Sequence, residues 1–206
     1  MINEVKIYNR FNIENSINTG GLNFLYMERP WYLISIYTDG NILLTKKNKE
    51  IIKEMGCRSS VSLSFWDVTD KQASEISKST SKHSKKLMEK MTLFSIEQAE
   101  TIIGFITLCD QDDEEDCVLV VHCDAGISRS GAVGTFAVDF LHLNYQDFTK
   151  NNPYLRPNYY VLRVLRNMAG MTPATLTDLK ARDDSALEVS KKDLEMKRKD
   201  GHIFLP

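Results

Sequence analysis

The segment CVLVVHCDAGISRSGAVGTFAVDFLHL (117–143) constrains this chain more than any other part of it. CVLVV (117–121) is apolar without alternation, so the strand it predicts must be covered on both faces. GAVGTFAVDFLHL (131–143) is apolar nearly all round and predicts a central, buried helix. A two-sided strand, a polar loop and a buried helix in succession require layers on both sides of a sheet. The rest of the chain fits that demand. WYLISIY (31–37) predicts a strand that ends at the turn dipeptide Asp39-Gly40, KNKEIIKEMG (47–56) a short helix closed by Gly56, and VSLSFW (61–66) a second strand ending at Asp67. SIEQAETIIGFITL (95–108) predicts a helix with capping-box spacing between Ser95 and Gln98, and PYLRPNYYVLRVLRNM (153–168) a turn followed by an amphipathic helix. Strands alternating with helices predict an α/β fold with a largely parallel central sheet flanked by helices.

The chain has 206 residues, which suits one domain, expected over 1–170. Residues 171–206 are expected to form a charged C-terminal helix or tail, because 178–200 carries seven acids and seven bases with few large apolar groups. Residues 71–92 carry six lysines against two glutamates and predict either a solvated insertion or a basic lid over an anionic site. DQDDEED (110–116) predicts an exposed acidic loop. The net charge of −2 gives no global pull toward nucleic acid or anionic membrane. MINEVKIYNR (1–10) lacks an apolar run, so no signal peptide is expected, and no stretch approaches the roughly 18 apolar residues of a membrane span. Four cysteines (Cys57, Cys109, Cys117, Cys123) and four histidines show no zinc-like spacing, so no metal and no cofactor are expected. These features lead us to expect a soluble, cytoplasmic protein with free thiols.

A loop between a buried strand and a buried helix aims its backbone N–H groups at one spot, and the helix N-terminus adds positive potential. Such a cradle binds a tetrahedral oxyanion. It is not the nucleotide-binding loop, because the G-x-x-x-x-G-K-(S/T) pattern is absent. Cys123 stands at its entrance, where a helix N-terminus and a fixed guanidinium favour the thiolate. Arg129, six residues on, can fold back over the loop and hold two oxygens with its planar fork. Gly126 lets the backbone turn without a Cβ clash. Ser130 sits where its hydroxyl can donate to the sulfur or cap the helix. His122 is expected to organise the loop and not to react. Cys57, Cys109 and Cys117 are expected as core thiols, with a regulatory disulfide to Cys123 as the open alternative.

HCDAGISRS matches the H-C-x-x-G-x-x-R-(S/T) signature of protein tyrosine phosphatases, and its A-G-I-S-R-S wording resembles the dual-specificity branch. RPN (156–158) is similar to the Pro-Asn element that supports the loop in that branch. The resemblance covers roughly residues 60–168. It implies a phosphatase-like fold and hydrolysis of phosphotyrosine, extending to phosphoserine and phosphothreonine, through a phosphocysteine intermediate. Cys123 would be the nucleophile, and the loop residues Asp124, Ala125, Gly126, Ile127, Ser128 and Arg129 would bind the phosphate. Ser130 would assist the departing thiolate, and His122 and Asn158 would support the loop. The general acid would be an aspartate after an upstream strand. Asp67 directly follows the predicted strand and is preferred to Asp70. The expected partner is a phosphorylated protein, with no nucleic acid and no membrane span. Two alternatives stay open: a phosphatase of phosphoinositide or RNA 5′-phosphate, and a catalytically weak phosphate-binding module. Arg129 and Ser130 suit phosphate better than the sulfur transfer of a rhodanese or redox thiol.

Overall fold

A computed structural model describes residues 1–20, 29–38, 42–69, 71, 72, 74, 92–111, 115–172, 177–185 and 188. The turn expected at Asp39-Gly40, the candidate acid Asp70 and nearly all of the 71–92 insertion lie outside the described residues. The chain runs β1 (Ile2–Asn9), α1 (Arg10–Asn18), β2 (Trp31–Tyr37), α2 (Lys46–Glu54), β3 (Cys57–Ser64), α3 (Ile96–Asp110), β4 (Cys117–Cys123), α4 (Arg129–Phe140), α5 (Tyr145–Asn151) and α6 (Tyr159–Met168). The four strands form one sheet in the order β1-β4-β2-β3, and every pairing is parallel. This is the expected α/β architecture.

Alternation along the central strands sorts their side chains onto two faces. Val118 and Val120 of β4, with Trp31 and Leu33 of β2, pack with Ile13 and Ile17 of α1 and Ile52 of α2. Leu119, Val121 and Cys123, with Tyr32, Ile34 and Ile36, pack on the other face with Ile102 and Ile106 of α3, Val133 and Phe136 of α4, and Leu162 and Leu165 of α6. The unbroken apolar run in CVLVV therefore serves two cores at once. Each fully buried aliphatic side chain of this kind stabilises the fold by about 1.5–3 kcal/mol.

Several expectations are corrected. β3 begins four residues earlier than expected, after Gly56 in the left-handed region (φ 93°), and ends at Ser64. Phe65 N still donates to Tyr37 O of β2 (3.2 Å), but Trp66 N turns to Thr92 O (2.9 Å), so Phe65 and Trp66 leave the sheet. Asp67 thus lies in the connection beyond the strand and does not follow it directly. The helix from Ser95 has the expected capping box but runs on to Asp110, whose Oδ1 accepts from Ile2 N (2.9 Å). The buried helix starts at Arg129, two residues before the expected Gly131. β1, α1 and α5 were not anticipated. Residues 177–185, within the expected charged helix or tail, are helical; Leu179 joins the larger core, and Asp183 accepts hydrogen bonds from the Tyr145 and Tyr159 hydroxyls. Among the described residues no helix is long and apolar enough to cross a membrane.

His122 lies on the α1 and α2 side of β4, buried and registered against Ser35 of β2, with Nε2 2.8 Å from Ser35 Oγ. Burial, with the nearby Arg10 and Arg129, lowers its pKa from 6.5 to about 4, against a partial offset from the Cys123 backbone and Asp124. The ring is neutral in the folded protein, whereas an unfolded chain takes up a proton below pH 6.5. Stability from this site is therefore complete above pH 6.5 and is lost as pH falls toward 4, by about 3 kcal/mol. Melting temperature measured against pH should fall over that window in the native chain and more shallowly in His122→Asn. Equal slopes would remove His122 as the cause.

Candidate active site

β4 ends at Cys123, residues 124–128 form the loop, and α4 begins at Arg129, so the loop and the helix N-terminus lie at the carboxyl edge of the sheet. Ligands of open parallel sheets bind at that edge. Two other chain segments hold the loop through backbone contacts. At the junction of β1 and α1, Arg10 N donates to Asp124 O (3.1 Å). Gly126 (φ 69°) presses on the same junction. A Cβ there would lie 2.7 Å from Asn9 N and 2.8 Å from Tyr8 C and O. After α5, Arg156 N donates to Ile127 O (3.2 Å) and Asn158 N to Ser128 O (3.1 Å).

Within this frame Cys123 Sγ lies 3.1 Å from Ser130 Oγ, and both residues are buried. Arg129 is also buried, at 5% exposure. Its Nη1 donates to Phe65 O and to Thr38 Oγ1, each at 2.8 Å, and its Nη2 donates to Asp124 Oδ2 at 2.5 Å. Its Nε is buried with no hydrogen-bond partner among the described residues. Thr38, just past β2, also donates from Oγ1 to Asp124 Oδ2 (3.1 Å).

Asp67 is exposed, yet the fold brings it to the loop. Its Oδ1 accepts from Ser128 Oγ and from Asn158 Nδ2, both at 2.7 Å. Asn158 Nδ2 also donates to Val68 O (3.0 Å), while Asn158 Oδ1 accepts from Val161 N (3.2 Å) and caps α6. One asparagine thus fixes both the Asp67 connection and the start of a helix. Ala125 and Ile127 stand exposed at the rim. His122 adjoins Cys123 in the chain, and its ring pairs with Ser35 on the α1 and α2 side of the sheet. Sequence reasoning missed Arg10, whose Nη1 lies 3.9 Å from Asp124 Oδ1, and Thr38. Both follow the carboxyl ends of parallel strands, where ligands of such sheets bind, but that rule needs the strand order, and β1 was not anticipated.

The other thiols lie far away. Cys117 and Cys57 open β4 and β3, and burial pushes the Cys57 pKa up to about 12. Six residues of strand separate Cys117 from Cys123, about 20 Å. Cys57 pairs in register with Trp31, itself level with Val118, so it lies near the same end of the sheet as Cys117. Cys109 occupies the last turn of α3, next to Asp110, which bonds Ile2 at the start of β1. The disulfide alternative for Cys123 is therefore excluded for these three: two thiols cannot be bridged with Cα atoms more than about 7 Å apart.

No family model matches the sequence, and no curated protein is matched. A solved structure described as Tk-PTP in the active form is 13% identical, with 81% of this chain and 90% of that chain covered, at a TM-score of 0.46. That likeness is too low to carry weight, and the fold rests on its own strand order.

Gly126→Ala would force a side chain into the left-handed region and into the Tyr8–Asn9 backbone, which cannot give way like a flexible side chain. A stability loss of at least about 2 kcal/mol is expected. A denaturation midpoint equal to the native one would show that the loop does not depend on this contact.

Proposed function

We propose that this chain is a metal-independent, cysteine-based protein phosphatase acting on phosphotyrosine, with activity extending to phosphoserine and phosphothreonine. The observation that carries the reading is the triad of Cys123, its 3.1 Å neighbour Ser130 and the buried Arg129, assembled at the N-terminus of α4. The phosphoryl group sits on the loop amides and Arg129, and the Cys123 thiolate attacks phosphorus. The P–O bond to the substrate breaks as the leaving oxygen takes the proton of Asp67. Oδ1 of Asp67 is already the acceptor for Ser128 and Asn158, so the transferable proton belongs on Oδ2. In the second step Asp67 takes a proton from water, the resulting oxygen attacks phosphorus, and the P–S bond breaks. Ser130 donates to the departing sulfur, and inorganic phosphate leaves.

The surroundings favour an acidic phosphopeptide. From Ser128 a groove of about 330 Å³ extends along Thr69, Lys71, Arg156, Tyr159, Tyr160 and Lys180. Three cations there complement acidic residues flanking the phosphate, whereas the Asp124 carboxylate works against substrates with several clustered phosphates, such as phosphoinositides or RNA ends. Free thiols suit a reducing, cytoplasmic setting.

Cys123→Ser should abolish hydrolysis of para-nitrophenyl phosphate and of a phosphotyrosine peptide while retaining inorganic phosphate binding, and the native enzyme should keep its activity in chelator. Near-native turnover in Cys123→Ser would overturn the nucleophile. A native chain that binds phosphate without turnover would instead be a phosphate-binding module. Asp67→Asn should lower kcat by about 10²–10⁴-fold for tyrosine-like leaving groups and less for activated phenols. Equal loss across aryl phosphates of graded leaving-group pKa would remove Asp67 as the acid.

A further inference from the structure

We propose that Asp124 is the resident anion of the cradle: its carboxylate holds the substrate-binding edge of Arg129, an incoming phosphate displaces it, and Arg10 receives it. This inference rests on the phosphatase reading above and deepens it.

A guanidinium grips an oxyanion bidentately along one edge, through two parallel N–H groups. Of the edges of Arg129, the one containing both Nη atoms is committed on its Nη1 side, which is pinned by Phe65 O and Thr38 Oγ1 at 2.8 Å each. The remaining edge is Nε with Nη2. Asp124 Oδ2 takes Nη2 at 2.5 Å, and Nε is buried with no partner among the described residues. A buried, unpaired donor on a charged group is costly, and its persistence in a fold calls for an explanation. A phosphate has enough oxygens to satisfy Nε and Nη2 together. The carboxylate as placed reaches only Nη2.

The carboxylate is also accessible, and besides Arg129 it accepts from the Thr38 hydroxyl (3.1 Å), which a phosphate oxygen can take over. Its side chain is 44% exposed, whereas that of Arg129 is 6% exposed. The Asp124 backbone is tied down by Arg10 N, so displacement means a side-chain rotation with the loop unchanged. Arg10 Nη1 waits 3.9 Å from Oδ1, at the margin of an ion pair. Arg10 is itself anchored by Glu14, whose Oε1 lies 2.6 Å from its Nε. Asp124 therefore stands between two arginines, closely paired with the one that substrate needs and loosely paired with the one it does not. Phosphate affinity is lowered by the fraction of time the carboxylate occupies Arg129.

The test uses the full chain, with inorganic phosphate as probe, by calorimetry, together with KM and kcat for para-nitrophenyl phosphate. Asp124→Asn is expected to tighten inorganic phosphate by about tenfold and to lower KM. Asp124→Ser, shorter and uncharged, should do the same, which guards against a peculiarity of the amide. Arg10→Gln should weaken phosphate in the native background, because the displaced carboxylate loses its receiver. In the Asp124→Asn background the same change should do little. Unchanged or weaker phosphate binding in both folded Asp124 variants overturns the proposal. An Arg10→Gln effect of equal size in the two backgrounds overturns the receiver role, since Arg10 would then act on phosphate directly. If the native chain hydrolyses para-nitrophenyl phosphate but Asp124→Asn fails to tighten phosphate, only this inference falls. If neither the native chain nor the variants bind phosphate, the phosphatase reading falls with it.

Discussion

A guanidinium that is almost wholly buried has to be satisfied by whatever surrounds it, because an unpaired charge inside a protein is among the costliest arrangements a fold can contain. Arg129 is that group here, and much of the site follows from how it is met. Phe65 O supplies one acceptor just beyond β3, Thr38 another just beyond β2, and Asp124 a third just beyond β4. The side chain at the start of α4 thus ties together the carboxyl ends of three adjacent parallel strands. The break of β3 at Ser64 acquires a purpose in this light. Once Phe65 leaves the ladder, its carbonyl is available to the guanidinium, and the chain that follows carries Asp67 to Ser128 and Asn158.

The assembly of the loop residues was legible because it is local. Cys123, Arg129 and Ser130 lie within eight residues, and their neighbours fix a strand before and a helix after. The two-faced character of CVLVV was also legible, and the structure divides it between two cores. What escaped was non-local or short. Arg10 and Thr38 meet the loop across 114 and 86 residues of chain (from 10 and 38 to 124), and nothing in their own neighbourhoods announces the encounter. β1 alternates Val5 and Ile7 with Glu4 and Lys6, a period-2 signal of an edge strand, but no turn dipeptide sets it off. α5 spans seven residues and is set mainly by its Asn144 cap. The end of β3 was misjudged because Phe65 and Trp66 continue the apolar run while the hydrogen bonds change partner.

Gly126 shows how a correct reading can have an incomplete reason. A turn residue was expected, and the positive φ agrees. The backbone of Tyr8 and Asn9 packed against its Cα adds a second demand that no local pattern contains. The same junction offers Arg10 N to the loop, so the first strand and helix brace the cradle from one side while the segment Arg156–Asn158 braces it from the other.

That bracing bears on where the protein can be cut. The motif resemblance spans about residues 60–168, and a fragment drawn to those limits would look complete by its signature. It would lack β1 and β2, hence half the strands of the sheet, together with Thr38, Arg10 and the surface on which Gly126 rests. At its far end it would lose Leu179 from the core and leave the hydroxyls of Tyr145 and Tyr159 without the Asp183 carboxylate that joins α5 to α6. A piece that retains these contacts has to run from the first strand through at least Asp183, well beyond the signature on both sides.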